Sequence, residues 1–102
     1  MSRSYSQDFR IAIEKLDPFD PGVALGLACI EANLPAKYVA PVLNVSRMTV
    51  HGWFRGNAIR TKNKKMVEAL TRIIREDMEK GILPAATVAD AKAWLRSVVG
   101  QD

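Results

Sequence analysis

The chain has 102 residues, 48% of them hydrophobic, and a net charge of +4, which fits one ordinary domain with a modest core and excludes a disordered chain. One cysteine, Cys29, excludes a disulfide framework within the chain, and one histidine leaves a metal little to bind. The opening MSRSYSQDFR lacks the apolar stretch of a signal peptide and no apolar run approaches a membrane span, so the sequence reads as a soluble, cytoplasmic protein.

Helix signals dominate, and there is no repeat or long linker. Ser6 caps a first predicted helix whose stripe is Phe9, Ala12, Ile13 and Leu16; the alternation in Phe9–Ile13 makes a short strand the weaker option. DPFDP interrupts. Asp20 and Pro21 then open a second helix, to Glu31 or Ala32, apolar most of the way round and therefore central. Asn33 ends it in the left-handed conformation. Leu34-Pro35 opens a third helix, to about Leu43, and Ser46 a fourth, to about Arg55. After the basic loop GNAIRTKN, a longer helix spans roughly Asn63 to Lys80 with the stripe Met66, Val67, Leu70, Ile73, Ile74 and Met78. Gly81, with Pro84 beyond it, is a stop signal. A last helix, about Thr87 to Val99, carries Val88, Ala91, Trp94, Leu95, Val98 and Val99 on one side. It either packs back on the domain or pairs with a second copy. The fold class is all-α, with six helices and short connections.

Charge is not spread evenly. Between Ala32 and Val67 there is no acid, and Lys37, Arg47, Arg55, Arg60, Lys62, Lys64 and Lys65 give +7; with +4 overall, the rest of the chain carries −3. A basic middle between neutral-to-acidic flanks points to an anionic partner met at one place. On a helix, residues 46–55 place Val50, Trp53 and Phe54 on an apolar face. Arg47, His51 and Arg55 line the opposite arc at i, i+4, i+8, with Met48 and Gly52 beside them. Ser46 accepts from the N–H of Met48 or Thr49, which presents the helix N-terminus to a phosphate. In the preceding helix Ala36, Val39, Ala40, Val42 and Leu43 share a face while Lys37 and Pro41 point away. The short link Asn44-Val45-Ser46 needs one residue at positive φ, which Asn44 supplies.

AKYVAPVLNVSRMTVHGWFR, residues 36–55, resembles the helix-turn-helix of the Cro/C1-type (XRE-like) phage and bacterial regulators. Ala40, Asn44, Val39, Leu43, Val45, Val50 and Trp53 fall where that motif has its small, turn and apolar positions. VSRMTVHGWFRG is similar to the V-S-x-x-T-V-x-x-W-x-x-G pattern the family favours. With its flanking helices the likeness spans about residues 20–80. It implies a compact lambda-repressor-like fold of five to six helices within one domain, 1–102, the first and last helices being unaccounted for. Asn44 stands where glycine is commonest, Ala36 where a DNA-contacting glutamine is often found, and Pro41 inside the first motif helix, where a kink is expected.

The resemblance implies that residues 46–55 lie in the major groove of double-stranded DNA. Arg47, Met48 and His51 are then the base readers: Arg47 for guanine, Met48 for a thymine methyl. Ser46, Thr49, Gly52, Arg55, Asn57, Arg60, Lys62, Lys64, Lys65 and Lys37 are candidates for the phosphate backbone. Gly52 either lets the DNA backbone come close or is a plain weak point in the helix. Trp53 and Phe54 are expected in the core. Lys62, Lys64 and Lys65 crowd a helix start, where the macrodipole disfavours cations. The expected function is a sequence-specific transcriptional regulator, a phage or bacterial repressor. The alternatives are a DNA-binding subunit of a packaging, recombination or plasmid-maintenance complex, with ring or higher assembly, and an antitoxin or inhibitor module on the same fold. No nucleophile–base set, paired carboxylates or phosphate-cradling loop points to an enzyme, a cofactor, a metal or a small-molecule substrate.

Overall fold

A computed structural model of the chain describes residues 5–99. Met1–Ser4 and Gly100–Asp102, the ends of the span assigned to the domain, lie outside these residues. Among the described residues the fold is all-α: α1 (Gln7–Glu14), α2 (Pro21–Ala32), α3 (Ala36–Val42), α4 (Arg47–Phe54), α5 (Thr61–Glu79) and α6 (Val88–Val99), without a strand. No helix among them is long and apolar enough to cross a membrane.

The central element is α2. Asp20 starts it by accepting the N–H groups of Gly22 and Val23 at 2.9 and 3.1 Å, and Pro21 occupies the first turn, where its missing N–H costs nothing. Val23, Leu25, Ala28, Cys29 and Ala32 are fully buried, and α1, α4 and α5 pack around them. Burial pushes the Cys29 thiol pKa well up, so it behaves as a small core hydrophobe. α3 packs on α4 on one side and on α6 on the other.

Four helices stop by one device. Asn33, Asn44, Gly56 and Gly81 follow α2, α3, α4 and α5 with φ of 59°, 56°, 96° and 78°. In each case the next N–H reaches back five residues: Leu34 to Cys29, Val45 to Ala40, Asn57 to Gly52 and Ile82 to Asp77, at 2.9, 3.2, 2.9 and 3.0 Å. The left-handed residue itself donates to Ile30, Pro41, Trp53 and Met78 respectively. These paired bonds satisfy carbonyls that a helix end otherwise leaves open, and the left-handed residue turns the chain sharply.

The packing corrects the sequence-based boundaries in several places. α5 begins at Thr61, not Asn63, because Arg60 serves as an extended cap whose carbonyl takes the Asn63 N–H at 2.9 Å. Ala12 is exposed, as are Met66, Val88 and Val99 (42%, 45% and 56%), which sit at the edges or ends of their stripes, beyond the core. Pro41 is exposed as expected, and α3 continues one residue past it. α6 folds back on the domain: Ala91, Trp94 and Leu95 are buried, and Trp94 Nε1 donates to Asp77 Oδ2 of α5 at 2.7 Å. The segment before α6 is pinned to the end of α2, with Asn33 Nδ2 and the Ala85 N–H donating to the Ala85 and Ala32 carbonyls, both at 2.9 Å.

Two glycines set how closely α2 meets its neighbours. A Cβ at Gly22 would collide with the Trp53 carbonyl, and one at Gly26 would lie 2.6 Å from Ile13 Cδ1 and 2.9 Å from Phe54 Cγ. Gly22→Ala is therefore expected to destabilise the domain by about 1–3 kcal/mol, as overpacking does, although helix propensity alone favours alanine by up to about 1 kcal/mol. Urea unfolding decides between the two, since their signs are opposite; a more stable variant would mean that the helices separate easily.

Candidate nucleic-acid interface

α4 presents one edge inward and one outward. Val50, Trp53 and Phe54 are buried, at 0%, 4% and 0% exposure, which fixes the rotation of the helix. Arg47, Met48, Thr49 and Arg55 are exposed on the other side, Met48 at 83%. The start is capped as expected: Ser46 Oγ accepts the Thr49 N–H at 3.1 Å and pairs with Thr49 Oγ1 at 2.9 Å. Ser46 and Thr49 thus hold each other, and the first N–H groups of α4 have no partner within the helix. Arg55 is the C-terminal cap residue, where a cation also suits the helix dipole.

Gly52 has an internal explanation. It occupies the position that the Schellman turn of α4 folds back upon, and the Asn57 amide lies over it: a Cβ there would be 2.9 Å from Asn57 Nδ2. The bare Gly52 surface is thus filled by Asn57, and close approach of a ligand backbone is not needed to account for it. Asn57 is held by this turn, its own N–H donating to the Gly52 carbonyl at 2.9 Å.

His51 is half-buried, whereas Arg47 and Arg55, in line with it on the outer arc, are exposed. Its ring meets Phe9 of α1 and Phe54 edge-on, both at 6.0 Å between centroids. Phe9 stacks on Tyr5 at 5.6 Å, and the Tyr5 hydroxyl donates to the Leu34 carbonyl at 2.6 Å. Burial drives the Tyr5 pKa far above the usual phenol value, so it remains a donor. The N-terminal segment therefore braces α4 and the start of α3 together. Local sequence assigns Tyr5 no role and puts Phe9 only on the α1 stripe; the aromatic pair at i, i+4 is the signal it offers.

The remaining cations fall into two places. Arg60, Lys62, Lys64 and Lys65 are exposed around the start of α5, which has no side-chain cap and no acid in its first turn. Lys37 is set apart on α3: its Nζ lies 5.5 Å from the Tyr38 ring centroid, and Lys92 of α6 approaches the same ring at 5.0 Å. Among the described residues the ion pair within 4 Å is Arg72 with Glu76, an exposed pair on α5 that contributes little. The outward cations of α4 and of the α5 start are not neutralised by carboxylates of the described chain.

No family model, curated protein or solved structure matches the chain.

His51 reports on the brace. Partial burial first, then the Arg47 and Arg55 charges, hold its pKa below the usual value of 6.5. Because the folded value is depressed, its contribution to stability is fully present above about pH 6.5 and is lost as pH falls through the lower value. NMR titration of this single histidine is expected to give a midpoint below 6.5, with Phe9→Ala moving it back toward that value as water reaches the ring. A midpoint unmoved by Phe9→Ala would mean that Phe9 does not supply the burial that lowers it.

Proposed function

We propose that this chain is a sequence-specific regulator that binds double-stranded DNA through α3 and α4, in the manner of the Cro/C1-type helix-turn-helix proteins it resembles, acting as a repressor in the cytoplasm. The observation that carries the reading is the outward edge of α4: Arg47, Met48, Thr49 and Arg55, exposed, basic and free of acids, on a helix whose other edge is locked into the core. A left-handed turn at Asn44 and the Ser46 cap bring the N-terminus of that helix to the surface.

In this reading α4 lies in the major groove with its N-terminal residues at the base edges. Arg47 holds guanine O6 and N7, and Met48 meets a thymine methyl. Ser46, Thr49 and the free N–H groups at the start of α4 hold one phosphate. The uncapped start of α5 with Lys62, Lys64 and Lys65 takes another stretch of backbone, the helix dipole and the lysines acting together on an anion. His51, packed against Phe9, is better suited to orienting the arc than to swinging onto a base. Lys37, turned to the Tyr38 ring, is the weakest member of the backbone set.

Arg47→Ala removes no buried surface, so stability is expected to change by less than about 0.5 kcal/mol. It is expected to cost about 1–3 kcal/mol of specific binding and to relax the preference at one base pair per half-site. Selection from random DNA pools with wild type and variant tests this. Identical preferences for the two proteins would remove Arg47 as a reader, and equal loss on every sequence would make it a phosphate contact.

A further inference from the structure

Phe19 is 91% exposed, the most exposed of the large hydrophobic residues among those described. It is held in that position: Asp17 Oδ1 accepts its N–H at 2.9 Å, the Asp17 carbonyl accepts the Asp20 N–H at 3.1 Å, and Pro18 and Pro21 flank the turn. The result is a rigid, outward aromatic knob between two carboxylates. On a different part of the molecule, α3 and α6 enclose an open groove of about 410 Å³. Its apolar wall is Tyr38, Val42, Leu95 and Val99, and its charged residues are Lys92 and Arg96. The Lys37 and Lys92 ammonium groups both approach the Tyr38 ring, and among the described residues no carboxylate pairs with them.

We infer that the Phe19 loop of one copy of this chain docks into the α3–α6 groove of another. Polarity and charge are complementary. The groove is apolar and rimmed by cations; the knob is apolar and rimmed by Asp17 and Asp20. A phenyl ring removes a large apolar area from water when it is enclosed, and a loop stiffened by two prolines loses little freedom on docking. Knob and groove share no residue, so a single docking is head-to-tail; repeated from copy to copy it propagates into rings or filaments, whereas two copies that dock reciprocally close as a two-fold dimer. Neither surface includes a residue of the outward edge of α4.

Sedimentation velocity of the intact chain, from about 10 μM to about 1 mM at low salt, spans the range for a small interface. Wild type is expected to associate with concentration, and added salt to reverse it. Phe19→Ala and Arg96→Glu, both changes at exposed positions, are each expected to weaken association by at least about tenfold. Mixed together, the two variants are expected to form a one-to-one pair and nothing larger, because the first retains an intact groove and the second an intact knob. Thermal melting confirms that each variant is folded. A wild type that remains monomeric at the highest concentration, a Phe19→Ala protein that assembles like wild type, or variants that fail to pair when mixed would each overturn the inference.

Discussion

The position of α4 rests on the absence of two side chains in α2. Gly22 and Gly26 let the Trp53–Phe54 end of α4 approach the backbone and core of α2 with no Cβ between them. Once Trp53, Phe54 and Val50 are seated there, the helix has no rotational freedom, and its charged residues have only one direction in which to point. Burial of these residues thus does two things: it stabilises the domain, and it exposes Arg47, Met48 and Arg55 together. The remaining elements support that seat. Ile13 and Phe9 close it from α1, and the Tyr5 hydroxyl ties the N-terminal segment to the Leu34 carbonyl.

A second constraint is the repeated helix stop. Four consecutive helices leave through a left-handed residue and the same pair of backbone bonds. The connections are therefore short and stiff, and the angle between neighbouring helices is set by backbone geometry as well as by side-chain packing. The turn at Asn44 delivers Ser46 to the start of α4 in an extended conformation, ready to cap. The turn at Gly56 folds Asn57 over Gly52 and aims the chain toward Arg60 and the open end of α5. Asparagine serves at two of the four stops because its short polar side chain tolerates the left-handed region best after glycine.

These local rules explain why much of the fold was legible in the sequence. Ser6, Asp20 and Ser46 as caps, Asn33, Asn44 and Gly81 as stops, and the apolar face of α4 all follow from short-range chemistry that a sequence displays directly. What was not legible depends on residues far apart in the chain. Nothing local marks Asp77 as the acceptor for the Trp94 indole, or Phe9 as a cover for His51. Helical spacing alone puts His51 and Gly52 on the outer arc, because it contains nothing of α1 or of the Asn57 amide. The start of α5 is hidden for the opposite reason: Asn63 resembles a cap, whereas Arg60 does not, and the start at Thr61 uses no side-chain cap at all.

In the proposed function, the outward edge of α4 and the open end of α5 form one surface for the phosphates and bases of duplex DNA. The most direct test is the affinity of the wild-type chain for duplex DNA measured across a range of salt concentrations. If Arg55, Arg60, Lys62, Lys64 and Lys65 supply three to five phosphate contacts, the log–log slope is expected to be roughly −3 to −4.5. Replacing Lys64 and Lys65 together by alanine is expected to flatten it by about one to two contacts. No measurable binding at low salt, or a slope near zero, would contradict the account.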